Sequence, residues 1–346
     1  MAATSYSALD IFRLTVTAVV FLVTLAGNFA AIVYIHRHKE LRSIKNYYYG
    51  FYLINLNVAD LLVAVFCIPF TVVYYESKTW RFGGLFCKVM PTMQVIAVSA
   101  SICTLAVITF ERYRALIHPM VPRSTAYGLR VKLALIWAWA AVVGAPSLYA
   151  YKLDMTRSSY QCIEQWPTHG YRQGYTIFIF LMNYAIPLGY IFISYIVIVI
   201  RLKYGKTPYG ENASKLLRNQ FIKLMIMLIV SFAVCYLPGH ICFFILDFGT
   251  GVNGQTFKTV ILFAHLLTWV NSCLNPFFYC ALNGFLKQQK KKLRKTSRLS
   301  LGSSSGDSFR KSFHREDQNE NEMIFLAKWR QGRLSETLQP IVESCT

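Results

Sequence analysis

Five polar side chains, Asn28, Asp60, Ser101, Asn271 and Asn275, lie deep inside long apolar stretches. A carboxylate isolated in hydrocarbon is expensive, so Asp60 requires a cation or a cluster of hydrogen-bond donors. A protonated Asp60 that merely ties helices together is the competing reading. The fragment Thr109-Phe110-Glu111-Arg112-Tyr113 closes one apolar stretch, and Asn275-Pro276-Phe277-Phe278-Tyr279 closes another. Arginine and an Asn-Pro pair are both disfavoured at membrane depth, so a chain that keeps them is using them. Pro69, Pro146, Pro187, Pro238 and Pro276 fall in or near five of the stretches. Each removes a backbone hydrogen bond, and five such hinges suit a bundle that changes shape.

The elements that position these groups follow from the hydropathy pattern. The 346 residues are 55% hydrophobic, and their charges fall between seven apolar runs at about 14–35, 48–75, 85–117, 132–151, 173–200, 221–247 and 257–281. Crossing a bilayer takes roughly 20 apolar residues as a helix, and helices satisfy their own backbone in lipid. The expected fold is therefore an all-α membrane protein, a bundle of seven transmembrane helices over residues 11–281. Of the 36 Lys and Arg, 28 lie in alternate loops and in the segment after residue 281. The positive-inside rule puts those segments in the cytosol and the amino terminus outside. The net charge of +20 thus reads as orientation and attraction to anionic lipid, without nucleic-acid binding.

Residues 1–10 are an extracellular segment too short to bind a ligand alone. They lack a basic n-region and a cleavage site, so the first span is expected to act as an uncleaved anchor. Residues 282–295 mix Phe285, Leu286 and Leu293 with lysines, which fits a short amphipathic helix on the inner leaflet. Residues 296–346 are polar and serine-rich and read as a disordered cytoplasmic tail. Hydroxyls there suit kinases, and phosphate would invert the local charge; an unmodified linker is the alternative. The sequon Asn212-Ala213-Ser214 falls on the cytosolic side, so glycosylation is not expected. Cys87 and Cys162 face the oxidising side, which predicts a disulfide between them.

Motifs in order, one or more per span, complete the picture. They are Gly27-Asn28; Asn55-Leu56-Asn57-Val58-Ala59-Asp60; Cys87 with Glu111-Arg112-Tyr113; Trp137; Pro187 with Tyr195; Phe232-Ala233-Val234-Cys235-Tyr236-Leu237-Pro238; and Asn275-Pro276-Phe277-Phe278-Tyr279. Over about residues 11–295 the chain resembles a rhodopsin-like (class A) G-protein-coupled receptor. That resemblance implies a sodium pocket at Asp60, Ser101, Asn271 and Asn275, with no cofactor required. It implies that Glu111 restrains Arg112 at rest and that Tyr113 completes the motif. Tyr195 and Tyr279 would swing toward Arg112, and Met120 would insert into a heterotrimeric G protein. Phe232, Tyr236, Pro238, Asn275 and Pro276 would transmit activation. Receptor kinases and arrestin would act on the tail. Two departures stand out: Tyr236 replaces the usual tryptophan, and the inner end of span six offers Arg218 and no acid. Loss of that second lock points to elevated basal activity.

The outer residues narrow the ligand class. Receptors for amines in this family carry aspartate where this chain has Gln94, and opsins carry lysine where it has Trp269. Trp80-Arg81-Phe82-Gly83 and Gln94 resemble peptide receptors of the RFamide, neuropeptide FF and neuropeptide Y branch. Cys162-Ile163-Glu164-Gln165-Trp166 resembles the outer loop of receptors for pyroglutamylated RFamide peptide. By that resemblance Thr71, Gln94, Glu164, His240, Asp247 and His265 bind ligand, with Asp247 meeting a ligand arginine. A carboxylate suits a guanidinium, and Gln94 and Thr71 supply neutral donors and acceptors for a terminal amide. The alternative for Asp247 and Glu164 is that they are solvated loop acids. The resulting expectation is a plasma-membrane receptor for an amidated, RFamide-like neuropeptide, and not an enzyme. A chemokine-like peptide or a lipid is the alternative ligand. A carrier would show repeats, and an intramembrane hydrolase would need a metal cluster; the sequence shows neither.

Overall fold

The computed structural model describes residues 8–37, 47–117, 125–155, 159–204, 213–249 and 260–277. All of them fall in one compact unit, Met1–Gly284. Among the described residues, seven helices are long and apolar enough to cross a membrane: Ala8–Arg37, Gly50–Ser77, Gly83–Ala115, Ala126–Ala150, His169–Arg201, Ile226–Phe248 and Val260–Phe277. They are numbered here as spans one to seven, and their ends are called outer and inner after the distribution of cations. Met120, Tyr279, the expected surface helix 282–295 and the tail lie outside the described residues.

Leu22, Phe29, Leu135, Val142, Phe192 and Val234 are each exposed by 60% or more. So much exposed apolar surface is untenable in water and natural against lipid tails. Inside, helices approach through small residues. Ala59, Ala100 and Ala140 are fully buried where spans two, three and four meet around Ile136. Gly144 is required there, because a Cβ on it would lie 2.7 Å from Ile96 Cγ1. Gly27 likewise leaves room for Pro276, whose Cγ would be 3.0 Å from an added Cβ.

Prolines fall at distinct places in three spans. Span two breaks at Cys67 and restarts with Pro69 in its first turn, where the missing N–H is tolerated. Span five contains a π-helical turn, Leu181–Ala185, closed by Ile186 N–H donating to Leu181 O. Pro187 follows it directly, so the ladder there already lacks one donor. Span three carries Pro91, which the sequence reading did not single out. Polar ties then fix the packing. Asn55 donates to Thr104 Oγ1 at 2.8 Å and accepts from Trp137 Nε1 at 2.9 Å, joining spans two, three and four. Asn28 donates to Ser272 O of span seven at 3.1 Å.

Candidate functional site

The outer end is capped by an antiparallel hairpin, β1 (Tyr151–Asp154) and β2 (Gln161–Glu164), in which Leu153 faces Cys162. Cys162 is disulfide-bonded to Cys87 at the start of span three, as its position in the sequence predicts. Trp80 and Phe82 pack around this bridge with Met90, Tyr74 and Leu153, and Trp80 N–H donates to Tyr160 O at 2.7 Å. The Trp80-Arg81-Phe82-Gly83 stretch therefore braces the cap; Trp80 is 5% exposed.

Beneath the cap lies a cavity of about 330 Å³. Gln94 of span three, Glu164 of β2, His240 and Asp247 of span six and His265 of span seven all line it. Thr71 does not; Tyr75, one turn further along span two, takes part in the lining instead. His240 sits among aromatics, edge-on to Phe180 at 5.5 Å. His265 stacks on Trp269 at 6.1 Å. Tyr236 forms part of the floor and stacks on Phe232 at 4.3 Å. Burial, with Glu164 nearby, pushes the Tyr151 phenol well above the ordinary tyrosine range, so it lines the cavity as a neutral group.

The two acids are not loose in solvent. The Asp247 side chain is 1% exposed and is gripped from span five. Thr176 Oγ1 donates to Asp247 Oδ2, and Gln173 Nε2 donates to Asp247 O at 2.9 Å. Arg172 Nε stands 2.7 Å from Asp247 Oδ1 but off the line of a hydrogen bond. The contact is therefore ionic, and Oδ1 carries no aligned hydrogen bond among the described residues. Glu164 Oε1 accepts from Trp166 Nε1 at 2.6 Å, and its Oε2 lies 3.8 Å from Arg172 Nε. Arg172, Gln173 and Thr176 escaped the sequence reading. Their signal was spacing: Arg172 and Thr176 are four apart on a helix, hence on one face.

Midway through the bundle, Asp60 is 1% exposed and accepts from Asn275 Nδ2 at 2.6 Å, tying spans two and seven. Ser101 and Asn271 are also buried, with Asn271 one turn before Asn275 on the same helix face. At the inner end Glu111 forms an ion pair with Lys132 of span four, a partner the motif alone did not disclose. Arg112 and Tyr113 are half-buried beside it, and Tyr195 is buried in span five. Pro238 lies inside helical span six, and Pro276 is buried against Gly27. No cluster of three metal-ligating His, Cys, Asp or Glu occurs among the described residues.

Comparison with known proteins agrees with this layout. The profile of the family described as 7 transmembrane receptor (rhodopsin family) matches residues 27–279. Neuropeptide Y receptor type 1 of Xenopus laevis is 30% identical over 279 residues, covering 76% of this chain and 75% of that protein. The Substance-K receptor of Mus musculus is 30% identical over 271 residues, covering 76% and 70%. Neuropeptide Y receptor type 6 of Oryctolagus cuniculus is 30% identical over 283 residues, covering 77% and 75%.

Proposed function

Because the chain belongs to the rhodopsin family of seven-transmembrane receptors, we propose that it is a plasma-membrane receptor for an amidated, RFamide-like neuropeptide that activates heterotrimeric G proteins. The family is one of receptors, not enzymes. Relatives named for neuropeptide Y and substance K support a peptide ligand. The observation that carries the finer assignment is Asp247. A carboxylate buried on the cavity wall, with one oxygen lacking an aligned hydrogen bond, is a receptor for a charged donor. Gln94 supplies neutral polarity on span three for the terminal amide.

In this reading the peptide's arginine reaches Asp247 and its aromatic residue packs near His240, Phe243 and His265 in the same cavity. Contact at the floor, Tyr236 on Phe232, passes the change down span six. At the inner end Arg112 meets the G protein, with Met120 and Tyr279 assisting. A sodium ion fits the mid-membrane site. Asp60, Ser101, Asn271 and Asn275 offer the hard oxygen donors such a cation takes, and all four are buried. These residues would hold the ion, which supplies positive charge beside Asp60. Arrestin and receptor kinases are the expected partners of the tail.

The test is a screen of RFamide, RYamide and related amidated peptides for calcium and cyclic-AMP responses in transfected cells. A response to Arg-Phe-amide peptides that Arg112→Ala abolishes, while binding persists, is the expected result. Undiminished nucleotide exchange by Arg112→Ala would contradict the receptor mechanism.

A further inference from the structure

The acid set that faces the cavity already holds a cation of its own. Asp247 and Glu164 carry a formal charge of −2 between them, and Arg172 returns +1. The set is left one positive charge short. The three partners differ in freedom. Asp247 is 1% exposed, whereas the side chains of Arg172 and Glu164 are 30% and 22% exposed. Thr176 and Gln173 hold Asp247 independently of Arg172, so its carboxylate stays placed if the guanidinium leaves. Arg172 has somewhere to go, because Glu164 lies 3.8 Å from the same nitrogen. Finally, the Arg172–Asp247 contact is close but misaligned, and both atoms lack a proper hydrogen bond.

From these features we propose that Arg172 is a specificity-determining residue, a tethered competitor that occupies Asp247 at rest and yields to a cationic group of the ligand. The proposal rests on the peptide-receptor reading above. On exchange Arg172 passes to Glu164, and the ligand's cation brings the local formal charge to zero. Exchange sets a threshold that only a well hydrogen-bonded cation clears. A guanidinium can pair with a carboxylate through two parallel N–H donors, and so outcompetes a misaligned single contact. An ammonium is a strongly hydrated point charge and displaces Arg172 poorly. The resting contact thus lowers apparent affinity by the same factor for every cationic ligand that needs Asp247, and leaves a neutral ligand untouched.

Receptors with Arg172→Gln, Arg172→Lys and Asp247→Asn are compared with the unaltered chain in membranes. The probes are synthetic amidated peptides ending in Arg-Phe, Lys-Phe or citrulline-Phe. Removing the competitor is expected to tighten the Arg-Phe and Lys-Phe peptides alike, by about tenfold, leaving the citrulline peptide within about twofold. Arg172→Lys should fall between. If Arg172→Gln weakens the Arg-Phe peptide, or shifts all three peptides alike, the proposal is overturned. Thermal melting of the purified receptors with L-argininamide or L-citrullinamide separates this from the RFamide assignment. Argininamide should stabilise Arg172→Gln more than the unaltered receptor and leave Asp247→Asn unmoved; equal shifts in all three receptors overturn the exchange. Silent peptides with a selective argininamide shift would sink only the RFamide assignment.

Discussion

Asp247 and Asp60 are both buried aspartates, 3% and 1% exposed, yet their surroundings differ in kind. Asp60 receives an amide from Asn275, with Asn271 one turn away and Ser101 buried on span three. Asp247 meets a guanidinium and a hydroxyl of span five, on the wall of a cavity. A neutral polar cluster leaves a carboxylate wanting a small cation, whereas a cluster with a built-in arginine is poised for exchange. In the proposed reading the same side chain serves the interior in one place and the ligand in the other.

Substitution should split the two. Asp247→Ala removes one partner of a desolvated charge pair, a loss of about 2–5 kcal/mol, or roughly 30-fold to several thousand-fold in affinity for an arginine-containing peptide. Asp60→Ala should change that affinity by less than about tenfold. It should instead abolish any dependence of agonist binding on sodium against choline, measured by competition in membranes. Sodium sensitivity that survives Asp60→Ala breaks the comparison from the other side.

Smaller effects sharpen the frame that holds both sites. Gly144→Leu should lower stability by about 1–3 kcal/mol by overpacking against Ile96, read as a lower melting temperature. Asn55→Ala leaves Trp137 Nε1 without its acceptor and should cost about 1–3 kcal/mol by the same assay. Lys132→Met, at a pair whose side chains are 25% and 24% exposed, should move melting least, by about 1 kcal/mol or less. A large loss there would show that the Glu111 pair is more than a partly solvated contact.

The spans were legible because lipid demands long apolar helices, and no other pattern in the chain competes with that. Their ends were not. Span four begins at Ala126 rather than near 132, since Thr125 caps it by accepting Gly128 N–H, and Tyr127, Arg130 and Lys132 continue the helix in polar surroundings. The π turn at Leu181–Ala185 leaves no periodic trace beyond the proline after it. Glu164 and Asp247 stood out in sequence as acids at outer ends. Arg172 did not, because a lone cation at the end of a span reads as solvated. Only the fold brings it 2.7 Å from an acid 75 positions away in the chain. Thr71 shows the reverse: the resemblance marks it as ligand-binding, yet Tyr75, one turn further along span two, lines the cavity instead.

The central claim is that Asp247 pairs directly with a ligand cation. The most direct measurement is a double-mutant cycle on affinity, with the unaltered receptor and Asp247→Ala each titrated with an Arg-Phe-amide peptide and its citrulline analogue. The account predicts a large loss for the arginine peptide on Asp247→Ala and little further loss for the citrulline peptide. Equal weakening of both peptides by Asp247→Ala would contradict the pairing.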